Sequence, residues 1–339
     1  MQTVLITGSA GFIGFHLAQL LLAQGFRVIG LDSHNDYYDP RLKADREAQL
    51  ITHAAFTAVH GKVEEPGLLM DLFATHRPDA VVHLAAQAGV RYSIENPRAY
   101  TEANLLGTFE LLEAARAYKS AHLMIASTSS VYGANTQMPY RETDQVDSQM
   151  SFYAATKKAN EAMAHGYAHL FGLPITCFRF FTVYGPWGRP DMAPYLFTSA
   201  ILDGRPIKVF NHGDMQRDFT YVTDLVQGIR LLLNAVPGTQ AVENDSLSPV
   251  APWRVVNIGN GESVPLLDFI AAIEAAAGIS AQMDMKPMQP GDVPATWADN
   301  GLLRRLTGYA PQTTVKDGLR AYVEWYRNYY GSVKVNNHA

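Results

Sequence analysis

One cysteine, Cys177, stands in all 339 residues, so no intrachain disulfide can form. A reducing cytoplasm fits that usage. No window approaches the roughly 20 consecutive apolar residues that span a bilayer. The chain runs from its first residues into the apolar strand Thr3-Val4-Leu5-Ile6-Thr7, so no signal peptide is expected. Lysine and arginine never run longer than a pair, and the net charge is -5. That removes the electrostatic pull toward nucleic acid or an anionic membrane. Repeats and low-complexity tracts are also lacking, and no metal site is expected. The length allows a large core and two domains, or one core with an appended lobe.

What is abundant is glycine at the start. The segment Gly8-Ser9-Ala10-Gly11-Phe12-Ile13-Gly14 follows the first apolar run and opens a helical pattern from Phe15 to Ala23. A second apolar run, Val28-Ile29-Gly30-Leu31, ends at Asp32, eighteen residues after Gly14. Strand, glycine turn, helix, strand, acid is the dinucleotide-binding order. Glycines admit a pyrophosphate to the backbone, the helix N-terminus meets its charge, and the acid takes ribose hydroxyls. The spacing alone also suits a tight turn without ligand, but the surrounding pattern favours a dinucleotide. Ser33 and His34 offer no arginine clamp for a 2′-phosphate, which points to NAD rather than NADP.

Strands and helices alternate through the first half. Ala80–Ala85, His122–Ser127 and Ile175–Phe181 read as strands, and Tyr100–Lys119 and Phe152–Phe171 as helices. This predicts an α/β fold: a Rossmann-type, doubly wound parallel sheet with a smaller C-terminal mixed lobe. The expected division is 1–182 with roughly 217–257 for the dinucleotide domain, and 183–216 with 258–339 for the lobe. Pro237–Pro252 reads as an exposed loop, Pro287–Pro294 as non-helical, and Leu319–Tyr330 as an aromatic terminal helix.

Tyr153-Ala154-Ala155-Thr156-Lys157 puts a tyrosine and a lysine one helical turn apart. A free phenol titrates near pH 10. A lysine ammonium and a cationic nicotinamide favour the phenolate, making Tyr153 a candidate general base toward a sugar hydroxyl. Lys157 can also bond the nicotinamide ribose. Such a pair arises often by chance; its place after the glycine fingerprint gives it weight. Ser127-Thr128-Ser129-Ser130 lines up hydroxyls at a strand end, where such folds bind ligands. Some of them should merely cap the backbone.

Here the chain resembles the extended short-chain dehydrogenase/reductase family of nucleotide-sugar enzymes over nearly its whole length. The resemblance implies a catalytic set of Thr128, Tyr153 and Lys157. It implies cofactor contacts at Gly8, Gly11, Phe12, Ile13, Gly14, Asp32 and Asn35. Leu84, Ala85, Ala86 and Gln87 match the loop beneath the cofactor, and Asn104 matches an asparagine that holds the active-site helix. The blocks Asp36-Tyr37-Tyr38-Asp39, Gln87 to Ser93, Arg179 to Met192 and Gln216 to Val222 look like those of UDP-glucuronate 4-epimerases. That similarity implies substrate contacts from Thr128, Ser129, Ser130, Thr182, Arg189, Val209, Phe210, Arg217 and Asp292. Arg189 could instead pair with Asp191, Arg217 with Asp218 or Asp224, and Phe210 could be a core aromatic. Two departures stand out: Lys62 where many relatives carry an adenine-binding Asp, and Gln289 where many carry an arginine.

The family's dehydratases and UDP-glucuronate decarboxylases carry acids before their Val-Tyr-Gly motif, where this chain has Ser129 and Ser130. Without a carboxylate there, simple epimerisation is expected. A 4-keto uronate loses CO2 readily, so its carboxylate must stay hydrogen-bonded, and Thr182 stands where neutral-hexose epimerases have asparagine. The implied enzyme converts UDP-glucuronate to UDP-galacturonate with NAD. Decarboxylation, neutral UDP-hexose epimerisation and a silent NAD(H) sensor are the alternatives. The resemblance also implies a homodimer through a four-helix bundle.

Overall fold

The computed structural model describes residues 1–238, 241–289 and 293–336, with the backbone alone over 332–336. Its strands are β1 (Thr3–Thr7), β2 (Arg27–Asp32), β3 (Phe56–His60), β4 (Ala80–His83), β5 (His122–Thr128), β6 (Ile175–Phe180) and β7 (Thr182–Tyr184). They continue with β8 (Ile207–Val209), β9 (Gln216–Arg217), β10 (Phe219–Tyr221), β11 (Trp253–Ile258), β12 (Val264–Pro265), β13 (Met283–Met285) and β14 (Ala295–Thr296). Seven of them form one parallel sheet in the order β3-β2-β1-β4-β5-β6-β11. The reversal between β1 and β4 is the crevice where this topology takes a dinucleotide.

The helices are α1 (Phe12–Ala23), α2 (Pro40–Leu50), α3 (Leu68–His76), α4 (Tyr92–Glu95), α5 (Pro97–Tyr100), α6 (Gly107–Ala117) and α7 (Phe152–Phe171). After them come α8 (Ala193–Leu202), α9 (Val222–Leu232), α10 (Leu266–Ala277), α11 (Gly301–Thr307) and α12 (Val315–Asn336). Alternate residues of β1 feed the two faces: Val4 and Ile6 pack with Phe15, Leu21 and Ile229, and Leu5 packs with Phe73, Leu111 and Ala164. Burial on both sides explains why the strands read as continuous apolar runs. In the lobe, Phe197, Phe219, Phe269 and Tyr322 share a separate core, with Phe219 stacked on Phe269 at 3.8 Å.

Three expectations change. The first helix begins at Phe12 rather than Phe15, because Gly11 already ends the turn. Tyr100–Lys119 is not one helix: α5 gives way to a π turn over Thr101–Leu106 before α6. Asn104 is the buried residue of this turn. Leu302 and Leu303 of α11 pack against the sheet with α9. The aromatic terminal helix is also longer than its expected span, since α12 starts at Val315. No described helix is long and apolar enough to cross a membrane.

Candidate active site

The glycine loop is shaped by close backbone approach. Gly8 has φ +76°, and a Cβ there would lie 2.9 Å from the Ala85 amide nitrogen. A Cβ on Gly14 would stand 2.0 Å from the Gly8 carbonyl oxygen, so no side chain fits. Phe12 is buried and Ile13 partly so, at the free N-terminal turn of α1. Asp32 is 6% exposed and ends β2 beside this loop. Its carboxylate accepts the Ala10 N–H at 3.0 Å and the His34 N–H at 2.9 Å. Lys43 of α2, which the sequence reading missed, lies 3.6 Å from Asp32 and donates to Asn35 Oδ1 at 2.9 Å. The turn of α2 that brings it back has no spacing signal in the sequence.

Leu84, Ala85, Ala86 and Gln87 follow β4 under the same crevice. The Ala85 N–H donates to Thr7 Oγ1 at 3.1 Å, and Thr7 meets His83 Nδ1 at 2.8 Å. Burial, with Lys157 nearby, lowers His83 to about 3, so it is a neutral hydrogen-bonding part of the floor. Asn104 accepts the Gln87 N–H at 2.8 Å and donates to the Gln87 carbonyl at 3.1 Å. Its amide also donates to Thr156 Oγ1 at 3.0 Å. One side chain therefore ties the β4 loop to α7, between Tyr153 and Lys157.

Ser151 starts α7 by accepting the Ala154 N–H at 3.1 Å, and Gly172 ends it with φ 65°. That fixes Tyr153 and Lys157 on one face. Lys157 is 3% exposed and donates to the Ala126 carbonyl at 3.0 Å. Burial lowers its ammonium to about 8. Burial pushes the Tyr153 phenol up, against a hydrogen bond with Thr128 and the charge of Arg189. The Tyr100 ring meets Tyr153 edge-on at 5.9 Å.

The four strand-end hydroxyls divide by direction. Ser127 points away and donates to Glu161 Oε1 at 2.6 Å. Thr128 accepts the Ser130 N–H at 3.2 Å as a cap, while its hydroxyl also reaches Tyr153. Ser129 and Ser130 stay partly exposed. Below them, Arg179 donates twice to Glu161 at 2.9 Å. Burial works against the Glu161 carboxylate, but Arg179 and Ser127 hold it below its usual range. Arg179 also lies 4.7 Å over the Tyr132 ring, and Tyr132 donates to Asn257 at 2.7 Å. Sequence reasoning missed this support, although Glu161 falls one turn after Lys157 on the same face.

The substrate contacts expected from the resemblance are less uniform. Thr182 is partly exposed, with its backbone tied to the Asp218 carbonyl at 3.1 Å. Arg189 makes an ion pair with Asp191, with one bond at 3.0 Å, and Tyr37 donates to the same carboxylate at 3.1 Å. The alternative pairing of Arg189 is thus realised, close enough to Tyr153 for its charge to act there. Arg217 donates to the Gln216 and Pro294 carbonyls. The acids offered as its alternatives are engaged elsewhere: Asp218 accepts the Asn260 and Gly261 N–H groups, and Asp224 accepts from Tyr309 and Thr313. Val209 is 0% exposed in the lobe core, so only its backbone is placed to meet a ligand. Phe210 packs on that core with one face under Arg91 at 5.5 Å. Asp292 lies outside the described residues.

A family model described as GDP-mannose 4,6 dehydratase matches residues 5–322. The chain belongs to this family. It is therefore an extended short-chain dehydrogenase/reductase, as the glycine loop and the Thr128, Tyr153, Lys157 set imply. It is 50% identical over 331 residues to a probable UDP-glucuronate 4-epimerase of Rhizobium meliloti, covering 96% of this chain and 97% of that one. UDP-glucuronate 4-epimerase 4 of Arabidopsis thaliana is 44% identical over 337 residues, 98% of this chain and 77% of the plant protein. The crystal structure of UDP-glucuronic acid 4-epimerase from Bacillus cereus, with UDP-glucuronic acid and NAD, superposes with a TM-score of 0.87. That match has 32% identity and covers 97% of this chain and all of the other.

Proposed function

We infer that this chain is an NAD-dependent epimerase that inverts C4 of UDP-glucuronate, giving UDP-galacturonate without loss of CO2. One observation carries the reading. Tyr153 stands one turn from Lys157 on α7, with Thr128 acting on its phenol, beside a strand end that presents hydroxyls and no carboxylate. NAD fits the chain because Gly8 and Gly14 leave a cradle that any Cβ would fill, with an acid at the ribose end. Bound there, NAD would supply the reversible hydride acceptance that inversion at C4 needs. Gly8, Gly11, Gly14, Asp32 and Lys43 hold the cofactor, and Lys157 holds its second ribose.

Tyr153 takes the 4-hydroxyl proton as hydride leaves C4, and later gives a proton back to the oxygen. Tyr153, disfavoured as phenolate by burial, would gain that charge state from a cationic nicotinamide beside it, in addition to Arg189. Thr128 steadies the reacting oxygen. Ser129, Ser130 and Thr182 donate to the substrate carboxylate, keeping it solvated while the 4-ketone turns. Arg217 binds the diphosphate. Proton NMR of purified protein with UDP-glucuronate tests the reading. UDP-galacturonate must accumulate with almost no pentose; UDP-pentose as the main product, or no turnover, would reject it.

The enzyme works as a homodimer in the cytoplasm, paired through α6 and α7 in a four-helix bundle. Support comes from apolar side chains left out of the monomer core: Leu106 ahead of α6, Phe109 on it, and Phe152 and Leu170 on α7. Cys177 is buried and free, in keeping with a reducing compartment. Sedimentation of Phe109→Asp should show a shift to monomer; an unchanged species would refute this pairing.

A further inference from the structure

Beyond the ribose-binding acid, three side chains from three elements converge. His34 follows β2, Glu47 sits on α2, and His60 ends β3 directly opposite Asp32 in the sheet register. One ligand atom from each lies within 4.8 Å of the others. His34 Nε2 stands 3.3 Å from Glu47 Oε1, and His60 Nε2 stands 2.8 Å from Glu47 Oε2. The two imidazole rings face each other at 4.8 Å.

The contact between His34 and Glu47 is unusual. Both atoms are buried, and neither has a hydrogen-bond partner among the described residues. An imidazole nitrogen and a carboxylate oxygen face each other at the right distance but out of hydrogen-bond alignment. Such an arrangement has the spacing of two ligands on one ion. Bonds of about 2.0–2.1 Å from a tetrahedral Zn2+ put neighbouring ligands about 3.3–3.4 Å apart. His34 also holds φ 48°, a left-handed backbone that a histidine adopts at a cost. That conformation lets its N–H bond Asp32 while its ring turns toward Glu47. Among the described residues, the partners of the Glu47 carboxylate are the two imidazoles and no lysine or arginine.

We propose that His34, Glu47 and His60 form a transition-metal site of the zinc class, separate from the catalytic centre, that braces the loop carrying Asp32 and Asn35. Two imidazoles and one carboxylate suit Zn2+, Co2+ or Ni2+ and not Mg2+ or Ca2+. His60 is the most exposed of the three ligands and closes onto the ion, leaving a fourth position for water. The site departs from the expectation of no metal; the three ligands meet only through the fold.

The test uses the full chain with its NAD, freed of metal by chelator and carrying no histidine tag. Titration calorimetry with ZnCl2 should show one ion per chain. His34→Ala with His60→Ala should weaken binding at least about tenfold, and Glu47→Gln should do likewise. Melting in metal-free buffer should match wild type for His60→Ala, whose side chain is exposed, so a loss of binding there reports a lost ligand. Added Zn2+ should raise the melting temperature of wild type and not of the double variant. Co2+ substitution should give the intense visible bands of a four-coordinate ion. The proposal is overturned if wild type shows no saturable binding, if the double variant binds as tightly, or if Co2+ stays six-coordinate.

Discussion

The two ends of the proposed NAD groove are built differently. At the nicotinamide end, every side chain assigned to chemistry stands on a regular element with layered support. Lys157 is fixed by the Ala126 carbonyl, Tyr153 by Thr128 and the Tyr100 ring, and α7 by Asn104. At the adenosine end, Asp32 and Lys43 are buried, but Ser33, Asn35 and Asp36 are exposed on a loop. The difference follows from the work each end does. Proton and hydride transfer fail when reacting atoms shift by about 1 Å, whereas holding adenosine needs only summed affinity. An end that supplies affinity alone can be rebuilt, and here it carries Lys62 and a histidine pair.

The largest effect should come from the rigid end. Tyr153→Phe removes the proton acceptor and should lower kcat by about 10²–10⁴-fold, with UDP binding nearly unchanged in calorimetry. Turnover close to wild type would mean that another group takes the proton. A smaller change should alter the product rather than the rate. Ser129→Ala with Ser130→Ala, or Thr182→Ala, strips donors from the substrate carboxylate. Each such bond to a charge is worth about 1.5–3 kcal/mol, so UDP-4-keto-pentose or UDP-pentose should rise roughly tenfold or more against the 4-epimer. Proton NMR with trapped CO2 reads the partition. Variants that are slower yet pentose-free would show that other groups hold the carboxylate.

The adenosine end should respond in affinity alone. Asp32→Asn keeps an acceptor for the His34 N–H but loses the charge offered to ribose. NAD should dissociate roughly tenfold faster, by the lower end of the same charged-bond range, with kcat at saturating NAD little changed. Mass spectrometry of ligand released from wild type should find NAD; mainly NADP would show Lys43 serving a 2′-phosphate. If Asp32→Asn lowered kcat as far as Tyr153→Phe, the contrast between the ends would collapse.

The same contrast governs what the sequence revealed. Gly8, Gly14, Asp32, Tyr153 and Lys157 were legible because local spacing fixes them: a turn, a strand end, one helical turn. Thr128 and Asn104 needed the family resemblance, since each acts across elements. Lys43, Glu161 and the His34, Glu47, His60 group were invisible because their partners are brought close only by the packing of α2, α7 and β3. The π turn over Thr101–Leu106 was read as plain helix, because apolar periodicity does not register one extra residue in a turn. The sheet itself was clear, since buried parallel strands leave unbroken apolar runs.

The smallest expected effect concerns the support beneath the catalytic strand end. Glu142 accepts the Asn257 N–H at 2.8 Å, and Asn257 in turn holds Tyr132 under Arg179. Burial raises the Glu142 carboxyl to about 7 from an ordinary 4.5. The folded chain therefore keeps this proton over a window where the unfolded chain has lost it. Folded-state proton binding exceeds that of the unfolded state between about pH 4.5 and 7, so stability from this group is full below that window and is lost as pH rises through it. The buried histidines act oppositely: His16 and His122 are lowered to about 4 by burial, and they destabilise the fold as pH falls. Their contribution is common to both proteins and cancels in a comparison of wild type with Glu142→Gln. The glutamine keeps the acceptor for Asn257 and cannot ionise. Its melting temperature should gain on wild type by a few degrees between pH 5 and 8, on the order of 2–3 kcal/mol for the full shift. Parallel melting curves for the two proteins across that window would show that Glu142 ionises alike in both states, and that the network beneath Thr128 carries no buried proton.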